Sequence, residues 1–260
     1  MLTEETVAEA ARAAGISPPA RFFPVIGSTN SELARMAEAG ALEWSVVAAG
    51  HQSAGKGRLG RSWISSPGSS LIVSFLLRPQ VDPPETALVT LAVGAAAALA
   101  VQSACGVEAR CKWPNDLEVK GRKLGGILVE AKVLEGRLTY AVVGVGLNLM
   151  QRREDFPPEL RESATSVVIE GGRPDPAALL RDVLANARRL CDTSRPGFRY
   201  ETLVAYRGLC DTIGRDVRAT TTSGDQVEGR AVEVGDSGEL VVQTVSSPET
   251  VAFGEVVHLG

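Results

Sequence analysis

The sequence is poor in the residues that build redox and metal sites. It contains two histidines and four cysteines among 260 residues. The cysteines are Cys105, Cys111, Cys191 and Cys210. No two of them have CxxC spacing, so the sequence argues against a metal site of the histidine and cysteine type. We expect four free thiols in a reducing compartment.

An excess of positive charge and a long apolar run are also missing. The formal net charge is −4, which argues against nucleic acid as the main partner. Residues 1–15 include Glu4, Glu5 and Glu9 and no apolar core, so they do not form a signal peptide. The Ala-rich stretch 86–101 is shorter than the ~18 apolar residues of a membrane span. We expect a buried helix there, no membrane partner and a cytoplasmic protein.

The apolar pattern predicts a larger domain followed by a smaller one. Up to about residue 209, helical and strand segments alternate, and the chain is long enough for one large core. From residue 213 onwards, short β-rich runs are separated by Gly, Asp and Ser turns, which is typical of a small β-barrel. We therefore divide the chain into domains at 1–209 and 210–260.

The most informative segment is a glycine-rich and basic loop at residues 51–63 (HQSAGKGRLGRSW). Part of it resembles a phosphate-binding P-loop, but Gly57 stands where that motif has the Ser or Thr that binds Mg²⁺. Residues 55–60 also match GxGxxG, but the strand directly before and the helix directly after that fingerprint are not predicted here. Neither fingerprint explains the loop.

The composition of the loop favours a ligand with both a phosphate and a carboxyl-derived group. Glycine lets the backbone approach a ligand closely. Arg58 and Arg61 offer planar forks of donors to phosphate or carboxylate, and Lys56 adds a third cation. Trp63 offers a flat face for a purine. The glycines and the repelling cations predict a loop that is mobile until an anionic ligand orders it; the alternative is a loop that stays solvated.

Five motifs in order resemble the biotin protein ligases. They are GSTN (27–30), HQSAGKGRLGR (51–61) with Trp63 beyond it, KWPND (112–116), RKLGGILVE (122–130) and GVGLN (144–148). The region from residue 213 is similar to the C-terminal domain of that family. Lys56 stands where the family commonly has arginine, so the charge is kept but the fork is lost. Only 21 residues precede Phe22, so the resemblance is to the monofunctional members without an N-terminal DNA-binding domain, and we expect no DNA binding.

The resemblance implies a fold and a reaction. The fold is α/β (α+β), with a mixed β-sheet and flanking helices as in class II synthetases, and a small C-terminal SH3-like β-barrel. The reaction uses ATP and Mg²⁺ to convert biotin to biotinyl-5′-AMP, and then transfers biotin to a lysine of a biotin carboxyl carrier domain of a carboxylase. A homodimer is left open. The alternatives are a lipoate or octanoate ligase of the same superfamily, and a non-enzymatic binder of biotin or its adenylate.

The resemblance also implies the roles of individual residues. Lys123, Arg58 and Lys112 are the expected catalytic cations, with Lys123 bridging the biotin carboxylate and the α-phosphate. The residues expected to bind biotin are Ser28, Thr29, Asn30, Gln52, Lys56, Gly57, Arg58, Lys123 and Gly126. The residues expected to bind ATP are Arg58, Arg61, Trp63, Lys112, Asn115, Asp116 and Asn148. Mg²⁺ is expected to accompany ATP near Asp116.

Overall fold

The computed structural model describes residues 2–17, 19–252 and 254–259. The helices are α1 (Glu4–Ala13), α2 (Thr29–Glu38), α3 (Thr86–Cys105), α4 (Pro176–Leu190) and α5 (Phe198–Leu209). The strands of the first sheet are β1 (Ala20–Phe23), β2 (Val46–Ala49), β3 (Ser70–Leu77), β4 (Arg110–Lys112), β5 (Asp116–Val119), β6 (Arg122–Leu134) and β7 (Arg137–Asn148). Those of the second sheet are β8 (Asp216–Thr221), β9 (Gln226–Val234), β10 (Leu240–Gln243), β11 (Pro248–Val251) and β12 (Gly254–His258).

The first sheet has seven strands in the order β1-β2-β3-β7-β6-β5-β4. Strands β1 and β2 are parallel and the other neighbours are antiparallel. All residues of β3 are buried, because this apolar strand lies inside the sheet with both faces covered. The predicted mixed α/β sheet with flanking helices is confirmed.

The Ala-rich segment forms the long helix α3. Among the described residues, α3 alone is long and apolar enough to cross a membrane, and 72% of its most apolar window is buried inside the protein. It packs against α4, α5 and β6, and its small side chains allow these neighbours to approach closely. The helix ends at Gly106, whose φ of 69° is the left-handed conformation that glycine adopts readily. The predicted buried helix is confirmed.

On the other face of the sheet, α2 covers a smaller core. Leu33 of α2 packs with Val47, Leu76 and Val142 of three different strands. Ser28 caps this helix, since its Oγ accepts a hydrogen bond from the backbone N–H of Ser31 at 3.4 Å. This packing holds the first turn of α2 against the centre of the sheet, where the site lies.

The second sheet is antiparallel, in the order β11-β10-β9-β8-β12. The predicted small β-domain is confirmed. Among the residues that the structure describes, β11 and β12 do not pair with each other, so the barrel is not closed. Alternating side chains such as Val217, Ala219 and Val256 are buried on one face, as expected of a sheet that is solvated on the other.

The two sheets meet beside β4. The backbone N–H of Asp211 donates to Cys111 O at 2.8 Å, and Trp113 donates through its backbone N–H to Thr212 Oγ1 and through its indole Nε1–H to Gly238 O. The four cysteines are free, as predicted, and all four are buried. The domain division after residue 209 stays a prediction; α5 ends at that residue.

Candidate active site

A cleft with about 800 Å³ of empty space lies over the middle of the first sheet. The loop between β2 and β3 and the first turn of α2 form its sides. The predicted site residues that line it are Ser28, Thr29, Asn30, Gln52, Lys56, Gly57, Arg58, Arg61, Trp63, Asn115, Asp116, Lys123 and Gly126. The fold therefore brings together segments that are up to about a hundred residues apart in the sequence.

Two glycines of β7 form part of the floor of the cleft. A Cβ atom at Gly144 would lie 2.4 Å from Asn30 Oδ1, and one at Gly146 would lie 2.8 Å from Cε2 of Trp63. Any side chain at these positions would displace Asn30 or the indole ring. Packing therefore explains the two glycines of the GVGLN motif, because the absence of a side chain lets Asn30 and Trp63 lie directly on the strand.

A chain of hydrogen bonds organises one wall of the cleft. Gln52 Oε1 accepts from the backbone N–H of Thr29 at 2.7 Å and from its Oγ1 at 2.9 Å. Ser74 Oγ lies 2.7 Å from Thr29 Oγ1 and 2.6 Å from Asn30 Oδ1. The amide Nδ2 of Asn30 donates to Glu130 Oε2 at 2.7 Å. These contacts fix which atoms of Thr29, Asn30 and Gln52 face a ligand.

Ser74 and Glu130 were not among the site residues predicted from the sequence. The signal for Ser74 was present, because it is the one polar residue inside the apolar run 71–77 (LIVSFLL). A fully buried hydroxyl needs a hydrogen-bond partner, and its partners here are both cleft residues. Glu130 lies in the RKLGGILVE motif and links Asn30 to the loop, since Lys56 Nζ lies 3.4 Å from Glu130 Oε1.

Lys123 and Asp116 face each other on the neighbouring strands β6 and β5. Lys123 Nζ donates to Asp116 Oδ1 at 2.7 Å. Gly126 lies opposite Asp116 in the strand register, and a Cβ atom there would come within 3.3 Å of Asp116 Oδ1. The missing side chain therefore leaves room for the ion pair. The ammonium group of Lys123 stands at the cleft, held by one carboxylate.

The basic loop is docked across the cleft at several points. Arg58 donates to Asn115 Oδ1 at 2.8 Å and to the carbonyl O of Gly254 at 3.2 Å. Arg61 forms an ion pair with Glu255. Burial disfavours the charged form of Arg58 and lowers its pKa from the ordinary value. An anionic partner would stabilise the charged guanidinium. The second sheet thus supplies two of the contacts that hold this loop.

Trp63 lies at the end of the loop and lines the cleft. Its backbone N–H donates to Gly55 O at 3.0 Å, and its ring covers Gly146. The buried indole Nε1–H has no hydrogen-bond partner among the described residues. A flat ring and a free donor at the cleft are properties that an aromatic base can use.

Two predicted site residues lie outside the lining of the cleft. Asn148 is 5% exposed, and its amide donates to Thr165 O at 3.1 Å and accepts from Gln151 Nε2 at 3.1 Å. Lys112 lies on β4 and acts electrostatically on Glu118 and His258. The nucleotide contacts expected of Asn148 and Lys112 stay predictions.

The cleft combines three kinds of surface. Ile72, Val73 and Val145 are apolar, the wall of Thr29 and Asn30 offers fixed donors and acceptors, and the loop side is cationic. A ligand with an apolar part, an amide-like group and an anionic end matches this division. The fold and the cleft together define an α/β protein with a site suited to a ligand of this kind.

Comparison with known families gives the particular family. Residues 22–148 match the model of the Biotin/lipoate A/B protein ligase family, and residues 212–259 match the Biotin protein ligase C terminal domain. The chain belongs to the biotin protein ligases of this family.

Relatives and solved structures agree with this assignment. The chain is 34% identical to a biotin–[acetyl-CoA-carboxylase] ligase of Mycobacterium tuberculosis, over 90% of this chain and 86% of that protein. It is 33% identical to the bifunctional ligase/repressor BirA of Bacillus spizizenii, over 86% of this chain and 69% of that protein. Its fold is similar to the biotin protein ligase of Aquifex aeolicus in complex with biotin and ATP, with a TM-score of 0.72 and 24% identity over 92% of this chain and 97% of that one.

Proposed function

We propose that this protein activates biotin with ATP to biotinyl-5′-AMP and transfers the biotin to a lysine of a biotin carboxyl carrier domain. The family supports the reaction class, and the relatives named as biotin–[acetyl-CoA-carboxylase] ligases support the acceptor. The observation that carries the proposal is the cleft itself, where the Lys123–Asp116 pair, the docked arginines and a prearranged polar wall surround one space.

The first half-reaction joins two anions, the biotin carboxylate and the α-phosphate of ATP. Their repulsion is the main barrier that the protein must lower, and cations placed around the reacting atoms stabilise the transition state. Lys123 exchanges its bond to Asp116 for bonds to the carboxylate and the phosphate. Arg58 and Arg61 hold phosphate oxygens, with Lys112 facing the polyphosphate. Pyrophosphate then leaves.

Mg²⁺ accompanies ATP in this proposal. The carboxylate of Asp116 and the amide oxygen of Asn115 are hard oxygen donors that lie at the cleft, which is the donor type that this ion prefers. When bound, the ion neutralises phosphate charge. In this proposal Asp116 binds the ion when ATP is present and pairs with Lys123 before the substrates arrive.

The polar wall of the cleft recognises the ureido ring of biotin. The ring carries donors and an acceptor and needs groups with fixed direction in a mostly apolar pocket. Thr29, Asn30 and Gln52 are fixed by the hydrogen bonds to each other and to Ser74. Ser28 and the segment at Lys56, Gly57 and Arg58 complete the biotin site, while Gly126 keeps room for the carboxyl end.

The nucleotide occupies the loop side of the cleft. Trp63 stacks on the adenine ring, and Asn148 hydrogen-bonds to it after giving up a bond to Gln151 or Thr165. Closure of the loop keeps water away from the mixed anhydride until the acceptor lysine attacks it and AMP leaves.

The proposed protein acts in the cytoplasm and consists of two domains divided at residue 210. The reaction needs neither DNA nor a membrane. All the residues assigned to the reaction lie in one chain, so the scheme does not require a homodimer.

The test is incubation of the purified chain with biotin, Mg-ATP and a carrier domain, followed by mass spectrometry. We expect the carrier to gain the mass of one biotinyl group, and a carrier whose target lysine is replaced by arginine to gain none. Biotin-dependent exchange of labelled pyrophosphate into ATP isolates the first step. Exchange that depends on lipoate or octanoate instead of biotin would favour the alternative ligase, and biotin binding without exchange would show a non-enzymatic binder.

A further inference from the structure

A second group of polar side chains lies where the two sheets meet. Glu118 comes from β5, Asp211 follows α5 and His258 comes from β12. One potential ligand atom from each of them lies within 4.8 Å of the other two. None of the three is among the residues that line the cleft, so the reaction proposed above does not use them.

Glu118 is the central member of this group and is 3% exposed. Its Oε1 has no hydrogen-bond partner among the described residues. His258 Nδ1 lies 3.9 Å from this oxygen, which is too long for a hydrogen bond. A buried carboxylate oxygen without a partner is costly. A positively charged ligand in the space between these atoms removes that cost.

The histidine is held so that one ring nitrogen faces this space. His258 Nε2 lies 3.1 Å from Thr212 Oγ1, which also accepts the backbone N–H of Trp113 at 3.0 Å. A proton on Nε2 that is donated to Thr212 leaves the Nδ1 lone pair directed at Glu118. Metal-bound histidines in proteins are commonly oriented by a hydrogen bond of this kind from the other nitrogen.

Two cations, Arg215 and Lys112, act on this group and affect the ligand that it can bind. Arg215 forms an ion pair with Asp211 through Oδ2, so the other carboxylate oxygen of Asp211 remains for the group. Lys112 acts on Glu118 and His258 from β4. These two cations offset part of the negative charge, and a bound ion therefore competes with Lys112.

We propose that Glu118, Asp211 and His258 bind one Zn²⁺ ion at the junction of the two sheets. One imidazole and two carboxylates form a donor set that Zn²⁺ accepts, whereas Mg²⁺ prefers oxygen ligands alone. The ion joins β5 of the first sheet to β12 of the second. Since β12 also carries Gly254 and Glu255, the ion fixes the strand that anchors Arg58 and Arg61 of the loop.

This inference departs from the expectation that the chain has no metal site with histidine ligands. That expectation came from local spacing, which detects ligands that are close in sequence. Here the three ligands lie at positions 118, 211 and 258 and only the fold brings them together.

The test uses the full chain, stripped with EDTA, dialysed against Zn²⁺ and then against zinc-free buffer. Elemental analysis is expected to show about one Zn²⁺ per chain, and thermal unfolding is expected to shift upward with Zn²⁺ but not with Mg²⁺. Glu118→Gln and His258→Gln should each lose the ion, and Lys112→Met should bind it about tenfold more tightly, because a competing cation is removed. Zinc content is measured without turnover, so this result is independent of the proposed ligase activity.

The controls address the buried thiols and misfolding. The double variant Cys111→Ser/Cys210→Ser should keep the ion. X-ray absorption of the zinc-loaded wild type should show nitrogen and oxygen ligands at about 2.0–2.1 Å and no sulfur, a result that needs no variant. A chain that retains no zinc, a sulfur shell, or zinc that persists in both Glu118→Gln and His258→Gln overturns the proposal.

Discussion

The ammonium group of Lys123 and the carboxylate of Asp116 form an ion pair of 2.7 Å between two neighbouring strands at the cleft. The backbone ladder fixes the Cα atoms of both residues, and the ion pair directs the flexible side chain of Lys123. Because both partners are partly exposed, an anionic ligand can replace Asp116 at modest cost. The pair therefore keeps Lys123 in place before the substrates arrive.

Replacement of this lysine is the first prediction. Lys123→Ala removes a cation that acts on the transition state, and we expect kcat/KM for biotin-dependent pyrophosphate exchange to fall by about 10²–10³. The matched control is Lys132→Ala, because Lys132 lies on the same strand at an exposed position away from the cleft. The control should keep wild-type exchange, and normal exchange in Lys123→Ala would remove the role assigned to this residue.

The buried hydroxyl of Ser74 gives the second prediction. Ser74→Ala removes the hydroxyl donor that lies between Thr29 Oγ1 and Asn30 Oδ1, and the wall that binds biotin loses its fixed geometry. A lost buried bond of about 1–3 kcal/mol corresponds to a rise of roughly 5–150-fold in KM for biotin, with a smaller effect on KM for ATP. Steady-state exchange kinetics measure both constants.

Ser45→Ala is the control for this experiment. Ser45 is also fully buried, and its Oγ donates to Leu42 O at 2.8 Å, but it does not line the cleft. It should lower stability without raising KM for biotin. If the two serine variants raise that constant equally, the effect of Ser74 comes from general destabilisation and not from the biotin site.

Proteolysis of the loop gives the third prediction. Trypsin cleaves after Lys56, Arg58 and Arg61, and biotin with ATP should slow this cleavage because the anionic product orders the basic loop. Glu255→Gln removes the charge that pairs with Arg61, so the free variant should be cut faster than the wild type. Glu249→Gln, at an exposed position on β11, is the control. Equal cutting of the loop with and without ligand would contradict ligand-induced ordering.

The pH dependence of stability gives the fourth prediction. Burial raises the pKa of Glu118 to about 7 from 4.5, so the folded state binds its proton more tightly than the unfolded chain. Its contribution is present at low pH and is lost as pH rises from about 4.5 to about 7. Burial lowers the pKa of His258 to about 4 from 6.5, so its contribution grows from about pH 4 to about 6.5. The two slopes oppose each other in the wild type.

Single variants separate the two slopes. In zinc-free buffer with EDTA, urea unfolding of His258→Gln should show stability falling between about pH 4.5 and 7, because the raised pKa of Glu118 then acts without the opposing histidine. Glu118→Gln should show stability rising between about pH 4 and 6.5, where His258 alone remains. Slopes of the same sign in both variants would show that other groups dominate this range.

Much of the fold was predictable from the sequence because its signals are local. The apolar run of β3, the Ala-rich stretch that forms α3 and the change of texture after α5 each follow from the side chains of one segment. Closure of the second sheet into a barrel depends on pairing between β11 and β12, which no local pattern specifies, and the described strands leave it open.

The site was predictable only where a motif marks it. Lys123, Arg58 and Thr29 were found through motifs, whereas Ser74 lies outside the motifs and contributes through contacts between β3 and the first turn of α2. Lys112 belongs to a motif but does not line the cleft. A motif therefore predicts which residues belong to a site but not whether each side chain points into it.

The anchoring of the loop by Gly254 and Glu255 has a consequence for synthesis of the chain. The other lining residues of the cleft lie at positions 28–146 and are synthesised well before these two, and β12 holds them in place by pairing with β8. Loss of β12 alone removes both of these contacts, so we expect the loop at residues 51–63 of the shortened chain to be more mobile wherever the first sheet still folds.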